Sequence, residues 1–284
     1  MQILSIKKIY MNEKILAKLH HVMIEILNEF VNICTSYNLK YFLTAGSLLG
    51  AIRHSGFIPW DDDMDIAMPR NDYEKFLDVY ANLKESNYYL LSNRNSKENI
   101  FHYYTYAKFC KKNTIFAEDI QDPKFYSGIF IDIWPYDKTI KIFTPIQTIF
   151  GKFFWKLFRV KSKIDTPKNI ILYYVIIFFS IFFTIDQCSI ISKKIFQFFN
   201  KYEVKSISFF SGIKGYKKET HSLSTIFPLK KQFFEGNLYN IPCDFNKFLT
   251  QFYGNYMKLP PIDKRVNHNP SYIIFDTNKN SSIN

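Results

Sequence analysis

From Glu13 to Tyr37 the chain reads EKILAKLHHVMIEILNEFVNICTSY, with Ile15, Leu19, Val22, Met23, Ile26, Phe30 and Ile33 returning at three- and four-residue intervals. That period predicts an amphipathic helix. His20 and His21 fall at its polar edge, where ordinary surface histidines are expected. KYFLTAGS predicts a short strand turning through Ala45-Gly46-Ser47, and SLLGAIRH a helix with Ser47 at its N-cap. From Asp61 to Met68 the period shortens to two. Met64, Ile66 and Met68 point to a core while Asp63 and Asp65 share the other face of a strand. Asn71 and Glu74 form a capping-box pattern for a helix over YEKFLDVYANL, and YYLLSN, FHYYTYAKF, TIFAED and GIFIDIWPYD then read as strands.

Asp61, Asp62, Asp63 and Asp65 put four carboxylates into five positions between hydrophobic stretches. Like charges this close coexist most readily around a cation, and hard oxygen donors suit Mg²⁺ or Mn²⁺ better than zinc. A calcium-binding loop shares the first three spacings, but Ile66 stands where such a loop needs glycine for its sharp turn. A salt-bridged acidic loop without metal is the remaining alternative. Asp132 lies inside the apolar run Ile129 to Trp134, where a charge is costly unless paired or metal-bound. A neighbouring strand could bring it beside Asp63 and Asp65. A small-residue turn into a helix also presents backbone N–H groups to an anion, which makes Gly46 and Ser47 candidates for holding phosphate.

With 284 residues, 47% of them hydrophobic, the chain can bury a sizeable core. Its net charge of +12 is uneven: Lys141 to Lys201 carries ten basic residues against two acids. Such a segment attracts an anionic partner, either nucleic acid or a membrane face, or is simply a solvated basic surface. Within it, Ile170 to Ile185 is apolar except for Ser180 and Thr184, and falls short of the roughly 20 residues of a spanning helix. An interfacial helix, an ordinary core helix and a short span compete. The interfacial one is preferred, because a full span would put the C-terminal region across the membrane from the acids. Cys34, Cys110, Cys188 and Cys243 form no C-x-x-C pair, as in a reducing compartment, and the first residues carry no secretory pattern. The polar last residues, DTNKNSSIN, are expected to fray.

The residues Gly46-Ser47, Asp63-x-Asp65 and Ile131-Asp132-Ile133 resemble the three motifs of the polymerase-β-type nucleotidyltransferase fold. GSLLGAIRHSGFIPWDDDMDIAMPRNDYEKF, GIFIDIWPYD and FLTQFYGNYMKLPP with Arg265 and His268 resemble, more closely, the LicD family of phosphocholine transferases related to fukutin. The resemblance covers Glu13 to Asp137 and, more sparsely, Phe209 to His268.

It implies an α/β (α+β) nucleotidyltransferase-like core over 1–140, interrupted by a basic, aromatic helical insertion over 141–205 and closed by a C-terminal segment over 206–284. It also implies transfer of phosphocholine or a similar phospho-alcohol from a CDP-activated donor to a hydroxyl of a cell-surface glycan or its lipid-linked precursor, with release of CMP. Asp63, Asp65 and Asp132 would hold Mg²⁺ or Mn²⁺, Asp132 also being a candidate general base. Gly46, Ser47 and Arg53 would grip phosphate oxygens.

Trp60 is a candidate donor wall or ammonium cage, against the alternative of a core tryptophan. Lys108 either reaches the phosphates or is a surface lysine, and His268 belongs to the terminal motif. The expected location is the cytoplasmic face of the membrane, with peripheral contact through 141–205 and no nucleic-acid partner. A nucleic-acid-directed nucleotidyltransferase and a non-catalytic membrane scaffold remain as alternatives.

Overall fold

The computed structural model describes residues 12–83, 86–92, 105–117, 126–162, 169–265, 267 and 270–277. The chain forms two compact units, one from residues 1–135 with 228–284 and the other from 136–227.

In the first unit the helical period over residues 13–37 becomes α1 (Glu13–Ser36), capped by the Asn12 side chain, which accepts from the Ile15 N–H. Its apolar face packs Leu19, Met23, Ile26 and Phe30, all fully buried. Then come β1 (Phe42–Leu43), α2 (Ala45–Arg53), β2 (Asp65–Pro69), α3 (Arg70–Ala81), β3 (Tyr88–Leu91), β4 (Ala107–Lys111), β5 (Ile115–Ala117) and β6 (Phe130–Thr139). Within this unit the main sheet runs β1-β2-β6-β4-β3. Each strand read from the alternation is present among the described residues, while the start of FHYYTYAKF and the ends of YYLLSN and TIFAED lie outside them. β4 pairs antiparallel with β6 through Ala107↔Ile133, Lys108↔Asp132 and Phe109↔Ile131. Pro135, which cannot donate to a ladder, closes this part of β6.

Two helix starts differ from the sequence pattern. α2 begins at Ala45, three residues earlier than a Ser47 cap implies, with Thr44 in the cap position and Ala45 at φ 43°. Ser47 is therefore inside the first turn. α3 has Pro69 at its cap and no capping side-chain bond; instead of a capping box, Arg70 Nη1 meets Glu74 Oε1 at 3.2 Å one turn on. Proline has already fixed the backbone entry there, so a capping side chain adds little.

The C-terminal part of this unit contributes a hairpin, α9 and a final strand (α9 follows two short helices of the second unit). The hairpin strands β9 (Lys230–Phe234) and β10 (Asn237–Ile241) turn through Glu235 and Gly236, both at positive φ. Glu235 ties the hairpin to the loop after α2: its N–H donates to the Ser55 carbonyl at 3.0 Å, and its Oε1 accepts from the Phe57 N–H at 3.0 Å. α9 (Phe245–Tyr253) starts from Asp244, whose side chain accepts from the Lys247 N–H, and lays Phe248 6.4 Å from Phe42. β11 (Tyr272–Ile274) pairs with β5. The expectation for DTNKNSSIN concerns residues mostly outside those described.

In the second unit, Asp137 to Thr139 pair with β7 (Ser206–Ser208), which pairs with β8 (Thr220–Ser222). The unit also holds α4 (Thr144–Lys161), α5 (Ile170–Ser180), α6 (Ile185–Gln197), α7 (Tyr216–Glu219) and α8 (Leu223–Ile226). α6 opens with a full capping box made by Thr184 and Gln187. Among the described residues no single helix is long and apolar enough to cross a membrane. Tyr173–Ser180 and Ile185–Gln197 reach that length and composition only together, with a 105° bend between them.

Two buried titratable groups near β8 give this unit a pH signature. Burial pushes the Glu219 carboxyl up from 4.5 to about 7, and burial pulls His221 down from 6.5 to about 3. Between about 4.5 and 7 native Glu219 keeps a proton that the unfolded chain has lost, so its contribution to stability falls as pH rises through that window. Between about 6.5 and 3 the unfolded chain protonates His221 while the native state resists, so its contribution falls as pH drops. The two slopes oppose each other where the windows overlap. Thermal midpoints measured against pH should therefore vary less in the native protein than in Glu219→Gln, which should lose stability on acidification, or in His221→Gln, which should lose stability on approach to neutrality.

Candidate active site

The site is built from backbone bonds first. Thr44 N–H donates to the Asp65 carbonyl at 3.2 Å, and the Asp65 N–H donates to the Ser47 hydroxyl at 2.8 Å. Ser47, 5% exposed, thus clamps the head of β2 to the first turn of α2. On the other side of β2, the Asp132 N–H donates to the Met64 carbonyl at 2.8 Å. Met64 lies between Asp63 and Asp65, so the three acids of the sequence motifs stand on adjoining stretches of backbone. Met64, Ile66 and Met68 are fully buried, as the alternation requires, with Asp63 half-buried and Asp65 6% exposed.

Asp132 faces Lys108 across the β4–β6 ladder, with Nζ 3.9 Å from Oδ1. The ammonium also lies 3.5 Å from the centre of the Phe130 ring. At 1% exposure Lys108 is no surface lysine; it compensates a carboxylate inside the sheet. A buried lysine beside an acid stabilises the pair only while both charges remain.

The acidic loop is held from the side by residues that no motif announced. The Asp61 carbonyl bonds His20 Nε2 at 2.7 Å, and the imidazole stacks on Phe57 at 3.9 Å with planes 3° apart. His20 is therefore not the ordinary surface histidine expected of it. Burial lowers its pKa, which favours a neutral ring donating through Nε2. His21 remains exposed beside Glu25, at 3.4 Å. A Cβ on Gly46 would stand 2.7 Å from Asp61 Oδ2, so only glycine admits that carboxylate against the start of α2. The first-turn N–H groups have no acceptors within the helix, and a carboxylate at that end is electrostatically favoured.

A second cluster lies around Trp60. The Arg265 guanidinium covers one face of the indole at 4.8 Å from its centre, and His54 meets it edge-on at 6.3 Å. Trp60 is half-exposed, not a core tryptophan, and a cation already occupies one face. Arg53 donates from Nη1 to the Tyr256 carbonyl at 2.8 Å and from Nε to His54 Nε2 at 2.9 Å, which anchors the segment after α9. Its pKa is lowered by burial first and by the neighbouring Arg265 charge, against which Tyr253 and Asp61 act. Two guanidiniums in mutual reach make a place where an anion relieves repulsion. Arg265 belonged to the terminal motif, and the Trp60 contact is what gives it a place. His268 lies outside the described residues.

The donor chemistry of Asp63, Asp65 and Asp132 is that of a hard divalent cation. Among the described residues, however, no three His, Cys, Asp or Glu side chains are gathered closely enough to hold a metal ion. The sheet brings the three backbones together; the carboxylates do not converge on one point.

An α+β sheet with Asp-x-Asp running into the head of β2, a third acid on the adjoining strand and a Gly-Ser helix start is the core of a nucleotidyltransferase-type enzyme. The family described as LicD/FKTN/FKRP, nucleotidyltransferase domain, matches residues 38–171. The lipopolysaccharide cholinephosphotransferase LicD of Haemophilus influenzae is 30% identical over 259 residues, covering 87% of this chain and 93% of that protein. Two uncharacterised rickettsial proteins match shorter stretches: one from Rickettsia typhi, 33% identical over 32% of this chain and 28% of its own, and one from Rickettsia prowazekii, 42% identical over 17% and 18%. The chain belongs to the LicD family and is a transferase of the LicD type.

Lys108→Met should cost about 3 kcal/mol of stability by stranding the Asp132 charge in the sheet. The double variant Lys108→Met/Asp132→Leu should regain most of it, as read by denaturant midpoints, without regaining activity. A single variant as stable as the native protein would contradict the pairing.

Proposed function

We propose that the chain transfers a phospho-alcohol, phosphocholine foremost, from a CDP-activated donor to a hydroxyl of a cell-surface polysaccharide, teichoic acid or lipopolysaccharide precursor. The observation that carries the reading is the Asp132 N–H bond to the Met64 carbonyl, which sets the third acid beside Asp63-x-Asp65. The named activity of the Haemophilus influenzae relative supports the donor class and the kind of acceptor.

In this reading the acceptor hydroxyl oxygen attacks the phosphorus that carries the alcohol. The bond from that phosphorus to the bridging oxygen breaks, and CMP leaves with the electron pair. The hydroxyl proton passes to a carboxylate, with Asp132 assigned as the acceptor. Arg53 and the helix start at Gly46 and Ser47 hold diphosphate oxygens, where Asp61 would have to yield to the incoming anion.

Ser47 acts through its position and backbone, because its hydroxyl already accepts from Asp65. Trp60 is assigned to the donor's alcohol group and His268 to substrate binding. Lys108 serves by keeping Asp132 in place. Asp63, Asp65 and Asp132 would hold Mg²⁺ or Mn²⁺ only once their side chains turn to a common point, and the ion would then neutralise diphosphate charge.

The acceptor is met at the cytoplasmic face of the membrane through peripheral contact by 141–205, and no nucleic acid takes part. The test is CMP release by purified protein with Mg²⁺, a panel of CDP-alcohols and a membrane fraction as acceptor. Asp63→Asn/Asp65→Asn should lower the rate by about 10²–10³-fold or more while the thermal midpoint holds, and a metal chelator should do the same to the native protein. Release of no CMP from any donor by a folded chain would move the assignment to nucleotide or sugar-phosphate transfer. Undiminished release by the variant would leave the acids structural.

A further inference from the structure

In the second unit the seam between α4 and α6 is largely polar, with Phe196 buried within it. The buried side of α4 is Thr144, Gln147, Thr148 and Gly151, with Leu157 and Phe158 only at its end. These polar groups are spent on one another and on α6. Thr139 Oγ1 lies 3.0 Å from Thr144 Oγ1, Gln147 Nε2 donates to the Ile195 carbonyl at 3.0 Å, and Ser192 donates to the Gly151 carbonyl at 2.9 Å. α6 approaches so closely that a Cβ on Gly151 would stand 2.1 Å from the Phe196 ring.

Large apolar side chains face outward instead. Ile142, Ile149, Ile171, Tyr174, Ile181 and Phe182 are each between 62% and 77% exposed. α5 is apolar all round, a composition found in protein cores or in lipid, yet most of its described side chains are exposed.

Helices that associate through small residues and interhelical hydrogen bonds, with their apolar surface turned out, follow the packing rule of lipid, where no hydrophobic force drives helices together. Patches of this size on soluble monomers mark a binding surface. The ten basic residues against two acids between Lys141 and Lys201 complement an anionic leaflet. With 11 residues, α5 is only about 16 Å long, half the hydrocarbon thickness, and the chain bends by 105° after it.

We propose that α4, α5 and the α5–α6 bend insert side-on into one leaflet of an anionic bilayer, so that the second unit is an in-plane membrane anchor. This rests on the function proposed above only for its purpose, which is to meet a lipid-linked acceptor; the anchoring itself is argued from this unit alone.

Flotation of the full chain with vesicles, with neither donor nor acceptor present, tests it. The protein should float with vesicles of phosphatidylethanolamine and phosphatidylglycerol, and less with phosphatidylcholine alone or at high salt. Ile149→Ser/Ile171→Ser/Ile181→Ser/Phe182→Ser should weaken partitioning by at least about a hundred-fold. Lys141→Ser/Lys194→Ser, at two exposed lysines, should weaken it roughly five-fold per lysine on anionic vesicles only.

A native protein that stays off anionic vesicles would overturn the proposal. So would an apolar variant that floats like the native chain, or a native dimer that ignores vesicles and dissociates in that variant. CMP release is measured separately. Vesicle binding without CMP release defeats the transferase assignment alone, and CMP release without vesicle binding defeats the anchor alone.

Discussion

Four carboxylates within five residues repel one another, and the first unit is arranged to hold them in place by their backbones. The Asp65 N–H reaches the Ser47 hydroxyl, the Met64 carbonyl takes the Asp132 N–H, and the Asp61 carbonyl is bonded by His20. Each of these bonds fixes a backbone position without using a carboxylate oxygen. Asp132 has the Lys108 ammonium 3.9 Å from its Oδ1, within the β4–β6 ladder. The negative charge near the start of α2 is offset by the helix end and by Arg53, the kind of balance that an incoming diphosphate would re-order.

The surroundings of this loop explain why distant parts of the chain are needed. His20 comes from α1, Glu235 from the hairpin turn, and Tyr256 and Arg265 from the segment beyond α9. The loop after α2 could not close its own backbone groups, and the C-terminal chain returns to satisfy them. Arg53 shows the result: its guanidinium bonds a carbonyl 203 residues away while remaining electrostatically coupled to Asp61 and Arg265. The terminal motif of the family thus has a structural duty as well as any contact with substrate.

The two units obey different packing rules. In the first, apolar side chains such as Phe30, Phe76 and Met23 fill the interior and acids line its surface loop. In the second, α4 and α6 meet through threonine, glutamine, serine and glycine together with Phe196, while large apolar residues such as Ile149 and Ile190 face outward.

Much of the first unit could be read from residue order alone, because local periodicity carries it. The helix at residues 13–37, the burial of Met64, Ile66 and Met68 and the strand holding Asp132 all follow from spacing, whereas the strand expected to carry both acids begins only at Asp65 and leaves Asp63 on the loop before it. The capping serine and the capping box at Asn71 misled, since Thr44 and Pro69 set those entries through backbone geometry that side-chain patterns do not report. The sequence left Lys108 between a phosphate contact and the surface and made His20 a surface histidine, because their partners lie 24 and 41 residues away, at Asp132 and Asp61. Spacing along the chain fixes which face a side chain takes; it is blind to what the facing strand or helix brings. That is why the acids were legible in the sequence, while their support, the cation over Trp60 and the largely polar seam between α4 and α6 emerged only when the chain was folded.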